Sequence, residues 1–106
     1  MAGLGNFSDL MKQAQKMQRD MGKVQEELKD RYVEAQAGEG AVKVVCSGAG
    51  ELVKVEIGKD AVDPSDFSLL EDLVVAAVNA GLKKAEELRH SELSKVTGGM
   101  NLPGMF

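Results

Sequence analysis

The chain has 106 residues, of which 43% are hydrophobic and 28% charged, and a formal net charge of −4. That length fits one domain, and the acidic balance counts against a protein that binds polyanions over its whole surface. With three Phe, one Tyr and no Trp, it also lacks the rings needed to stack single-stranded nucleic acid.

A single cysteine, Cys46, cannot form an intramolecular disulfide, and no apolar run reaches the ~18 residues of a membrane span. The opening MAGLGNFSDLMK has no apolar core behind a basic segment, so a secretory signal is not expected and a reducing cytoplasm is. A chain this short sits near the lower limit for a self-sufficient core, so oligomerisation is expected.

Residues 1–6 are small and glycine-containing and are expected to fray, with Asn6 and Asp9 as an N-cap signal. From Phe7 apolar residues recur at heptad spacing, with Phe7, Ala14, Met21 and Leu28 in one row and Leu10, Met17 and Val24 in the other. The spacing predicts a long helix over 7–31, whose Met-rich seam suits an irregular partner better than a strict two-stranded coiled coil. At ~1.5 Å per residue it runs for roughly 37 Å, against about 20–25 Å for the strands that follow, so part of it must extend past its own sheet.

Tyr32–Ala37 alternates as a first strand, and Gly38-Glu39-Gly40 turns into the cleanest pattern in the chain, Ala41–Ile57. There Val42, Val44 and Cys46 share one face, Val53, Val55 and Ile57 do the same, and Ser47-Gly48-Ala49-Gly50 reads as the hairpin turn between them. Residues 32–58 thus form a three-stranded antiparallel meander with one apolar and one semi-polar face. Cys46 points with the valines and reads as core.

Asp63-Pro64-Ser65 makes a turn, and Ser68 with Glu71 three residues on resembles a capping box opening a second helix over 68–95. Up to Leu82 this helix is apolar nearly all round, more than a single copy can bury, which points to a dimer. From Lys83 it becomes charged and is expected to project into solvent. Residues 96–106 form a Gly, Met and Pro tail without periodicity, expected to be flexible unless a partner binds it. The fold class is α+β in the order α-β-β-β-α, in one domain spanning 1–106.

No catalytic, metal or cofactor site emerges. His90, the one histidine, has no Cys, His or carboxylate cluster at ligand spacing. Ser47–Gly50 joins two strands and has neither the helix nor the lysine of a phosphate loop. The positive signal is Lys12, Lys16, Arg19 and Lys23, spaced four, three and four, which form one stripe opposite the Phe7–Leu28 seam. Such a stripe is either a solvated helix face or a phosphate-contacting ridge, and spacing alone favours the former.

The order of segments, LMKQAQKMQRDMGKVQEEL, VKVVCSGAGELVKVEI, DPSD, LLEDLVVAAVNAGLKKAEE and TGGMNLPGM, resembles the YbaB/EbfC family of bacterial nucleoid-associated proteins over essentially the whole chain. The resemblance implies a homodimer of α-β-α subunits with joined sheets, and paired helices that project like tweezers and bind double-stranded DNA. Carried onto this chain, the DNA-binding residues are Lys12, Lys16, Arg19 and Lys23 on the first helix and Lys83, Lys84, Arg89 and Lys95 on the second. Glu86, Glu87 and Glu92 crowd the second set, leaving the first as the better candidate. The expected function is a cytoplasmic, nucleoid-located protein that organises or regulates DNA through phosphate contacts. The alternative is an acidic dimeric adaptor that binds a protein partner through Met-bearing helix surfaces or its C-terminal tail.

Overall fold

A computed structural model describes residues 2–98 of the chain. The elements run α1 (Ala2–Leu28), β1 (Tyr32–Ala37), β2 (Val42–Ser47), β3 (Leu52–Ile57), a short 3-10 turn at Lys59–Ala61, and α2 (Phe67–Val96). This is the α-β-β-β-α order the periodicities predict. The stretch from Gly99 onward, most of the predicted tail, lies outside the described residues.

The sheet is an antiparallel meander in the order β1-β2-β3. Ala35 stands opposite Val44 and Ala37 opposite Val42, while Val44 faces Val55 and Val42 faces Ile57, so one apolar face crosses all three strands. The register shifts between Val45 and Cys46, placing Leu52 opposite Cys46 and breaking the simple Val53-Val55-Ile57 row. A bulge of this kind is invisible to a period-two reading because it costs only one residue.

The β1–β2 turn carries positive φ at Gly38, Glu39 and Gly40, two of the three being the residue that takes that conformation without strain. In the second turn Gly50 has φ +89, but Gly48 is not left-handed. Gly48 is buried, and a Cβ there would lie 2.8 Å from the Leu28 carbonyl oxygen. Its N–H donates to the Arg31 carbonyl at 2.8 Å. Gly48 is therefore small so that the end of α1 can rest on the hairpin, a reason distinct from the turn geometry its neighbours suggest.

Helix α2 lies over β1 and β2. Ala77 packs with Ala35, Val42 and Val44, flanked by Leu70, Leu73, Val74 and Val78. Gly81 marks the closest crossing, since a Cβ there would sit 2.8 Å from both Cys46 Sγ and Val44 Cγ2. Full burial of a Val or Leu contributes about 1.5–3 kcal/mol relative to exposure, and Val42, Val44, Leu28 and Leu93 all reach it. β3 receives little of this cover, and all six of its residues are exposed.

Both helix starts differ from the sequence expectation. Asp66, not Ser68, caps α2, its carboxylate accepting from Leu69 N–H at 3.2 Å. The cap is set up by Asp63, whose Oδ1 accepts from Ser65 N–H and Oγ at 2.9 and 2.6 Å. Pro64 holds that turn, so the chain reaches helical geometry two residues earlier than the Ser68–Glu71 spacing suggests. α1 starts at Ala2, which places Asn6 within the helix instead of at its cap, and it ends at Leu28. Beyond Leu28, the N–H groups of Lys29, Asp30 and Arg31 bond three residues back, tightening the chain for its entry into β1.

The chain is elongated, 77 × 22 × 15 Å. On α1, Met17, Asp20, Met21, Val24 and Leu28 are buried or half-buried, whereas Asn6 to Lys16 are all exposed. The inner half of α1 packs on the C-terminal third of α2, where Leu93 is fully buried and Leu88 and Val96 half-buried. The charged end of α2 thus has an apolar stripe used against α1. Among the described residues, the stretch of α1 from Asn6 to Lys16 packs on neither α2 nor the sheet.

Candidate nucleic-acid interface

Lys12, Lys16, Arg19 and Lys23 are exposed on α1 and make no ion pair among the described residues. At ~100° per residue they cover one narrow stripe, and the row from Phe7 to Leu28 lies on the opposite side. The inner part of that row binds α2, so packing fixes which way the stripe looks. Asp9 and Asp20 lie beside it, close enough in sequence to weaken its field without pairing to it.

The basic residues of α2 are distributed differently. Lys84 donates from Nζ to the Glu34 carbonyl of β1 at 2.9 Å, tying the helix to an edge strand. Lys95 donates to Glu92 Oε1 at 3.0 Å. Lys83 lines an open depression of the surface with Glu86, Glu87 and His90, and Arg89 is half-buried beside Gly48, Ala49 and Gly50. Lys95 and Lys23 line one shallow groove of about 350 Å³ between α1 and α2 together with Asp20, Glu27 and Glu92. The structure therefore puts one lysine of each set on the same groove, leaves Lys84 and Arg89 near the sheet, and leaves Lys83 among carboxylates.

Arg31 is the residue that sequence spacing missed. Its Nη1 sits 3.0 Å from Glu92 Oε1, so Glu92 bridges Arg31 and Lys95 and fastens α2 to the end of α1. The hydrogen bond from Lys95, then that from Arg31, holds the Glu92 carboxyl below the ordinary glutamate range. No local pattern announces a pair so distant in sequence. The open sheet face has its own charges: Lys54 pairs with Glu56 at 2.6 Å, and Lys43 lies nearby.

Cys46 is buried with its thiol pushed up by desolvation, which keeps it protonated. No three His, Cys, Asp or Glu residues are grouped to hold a metal among the described residues, and no helix is long and apolar enough to cross a membrane. The arrangement can offer fixed positive charge along a rod, which suits a regularly spaced polyanion.

Residues 3–100 match the model of the YbaB/EbfC DNA-binding family. A nucleoid-associated protein of Acetivibrio thermocellus is 53% identical over 103 residues, covering 96% of this chain and 91% of that protein. One from Thermoanaerobacter pseudethanolicus is 54% identical over 101 residues, covering 95% and 91%. Among solved structures, an uncharacterized Helicobacter pylori protein superposes with a TM-score of 0.74 at 28% identity, covering 87% of this chain and 97% of that one.

Proposed function

The chain belongs to the YbaB/EbfC DNA-binding family, and from this we propose that it acts in the bacterial cytoplasm as a nucleoid-associated homodimer that grips double-stranded DNA without catalysis. The observation that carries the reading is the stripe Lys12, Lys16, Arg19 and Lys23, exposed, without an ion pair among the described residues, and borne on a helix that is exposed all round from Asn6 to Lys16. Charges in salt bridges are already neutralised and gain little from a phosphate. Free ones release the counterions condensed on DNA.

Dimerisation is supported by apolar surface that one copy leaves open. Leu52, Val55 and Ile57 of β3 are 44%, 38% and 43% exposed, and Leu69 and Val75 of α2 are 50% and 59% exposed. Among the described residues β3 also ends the sheet with an unpaired backbone edge, an arrangement proteins seldom leave beside apolar side chains. A second copy seated there covers both and holds two arms at a fixed separation. Each arm then lays its stripe along the phosphate backbone, giving bridging or coating with little sequence preference, because phosphate contacts carry no base information. Lys95 lines the same groove as Lys23, but its ion pair with Glu92 makes it a weaker contributor than the stripe. Lys83, Lys84 and Arg89 contribute less, being held near the sheet or among carboxylates.

The test is the triple variant K12E/K16E/R19E. It abolishes binding to duplex DNA while the mass of the oligomer in solution stays that of the wild type. Unchanged DNA affinity in this variant would remove the stripe from the mechanism.

A further inference from the structure

We propose that residues 99–106, Gly-Met-Asn-Leu-Pro-Gly-Met-Phe, dock along the uncovered apolar row of α1 in their own chain, over Phe7, Leu10 and Ala14. Phe7 and Leu10 are each 63% exposed. They continue the helical row of Met17, Met21, Val24 and Leu28, whose inner members are covered by α2. The cover stops because α2 stops, at Val96, beside Asp20 and Val24. An apolar seam half used by one segment of the chain, and open where that segment ends, points to what comes next in the chain as its occupant.

Reach and chemistry both fit. Gly98, at φ +66, breaks the helical path just past α2. Eight residues follow, able to span up to about 26 Å when extended at ~3.3 Å each. From the level of Asp20 to Phe7 is roughly 20 Å of helix at ~1.5 Å per residue. The segment carries Met100, Leu102, Met105 and Phe106 and has no ionisable side chain. Pro103 bars a continued helix and favours an extended path, and methionines adapt to a shallow row that mixes Phe, Leu and Ala. Lys12 and Lys16 lie on the opposite side of α1, so the docked tail leaves them open.

The consequence is mechanical. An isolated helix of this length is marginal in water, and the tail braces the outer half of α1 so that its cations stay aligned. The tail thereby affects the arm without touching a nucleic acid.

Amide hydrogen exchange without DNA tests this, comparing the full chain with a chain ending at Gly98. Residues 7–17 should exchange about tenfold faster in the shortened chain, while 42–46 in β2 stay as they were. L10S in the full chain should reproduce the loss. Equal exchange of residues 7–17 in all three proteins would overturn the proposal. In a mixture of isotope-labelled and unlabelled chains, contacts between Phe7 and the methionine methyls within one labelled chain support it. Contacts found only between labelled and unlabelled chains overturn it, assigning the tail to the partner's arm. Because no DNA is present, these outcomes are independent of whether the basic stripe binds phosphate.

Discussion

Replacing Gly81 with alanine forces the crossing of α2 over β2 apart. The added Cβ would stand 2.8 Å from Cys46 Sγ and 2.8 Å from Val44 Cγ2, both inside van der Waals contact, and both neighbours are fully buried. Overpacking of this kind costs roughly 1–3 kcal/mol, while the gain in helix propensity from Gly to Ala returns up to about 1 kcal/mol. With a mid-range cost of about 2 kcal/mol the net loss is about 1 kcal/mol, roughly 4–8 °C in Tm for a domain of this size. Half of the clash is with a single sulfur atom, so C46A should relieve it. Alone, C46A costs roughly 1–2 kcal/mol through the space it empties. In the double variant the two changes compensate, and the total should fall short of the sum of the singles by about 1 kcal/mol. Urea unfolding of all four proteins at one fixed protein concentration, followed by far-UV circular dichroism, gives the cycle directly. Additive losses, or a G81A variant as stable as the wild type, would show that the crossing is not set by this contact.

Two further outcomes follow from the helix ends. D66A should lose about 1 kcal/mol, as N-cap removals typically do, whereas S68A should change stability little; a larger loss for S68A in the same unfolding assay would return the cap to Ser68. Glu92 is held below its ordinary value of 4.5 by Lys95 and then Arg31. A depressed folded pKa means that this contribution is fully present above the ordinary value and is lost as pH falls through the lowered one. E92Q should therefore flatten the acid limb of the stability curve below about pH 4.5, and superimposable curves for the two proteins would contradict the bridge.

The strands were legible because period-two alternation over Ala41–Ile57 is a local property, and Val42, Val44 and Cys46 do share the covered face. The long helices were legible for the same reason. What the sequence could not display depends on tertiary contact. The heptad row of α1 is uniform from Phe7 to Leu28, yet only its inner half meets α2, and no local pattern says where α2 ends. Gly48 and Gly50 look alike in a turn motif, but one answers to the Leu28 carbonyl above it and the other to φ +89. The charged run after Lys83 reads as solvent-facing because its one buried leucine, Leu93, is isolated among polar neighbours. Of the candidate site, the stripe on α1 could be read from spacing, whereas the engagement of Lys84 with β1 and of Lys95 with Glu92 could not.

The central claim is that free cations on α1 take hold of DNA phosphates. Duplex DNA titrated with the full chain at two salt concentrations measures this most directly. Four free cations per arm predict a slope of log K against log [salt] near −3.5 for one arm engaged, approaching −7 for two, at about −0.9 per phosphate. Affinity that does not change with salt, or no binding at low salt, would contradict it.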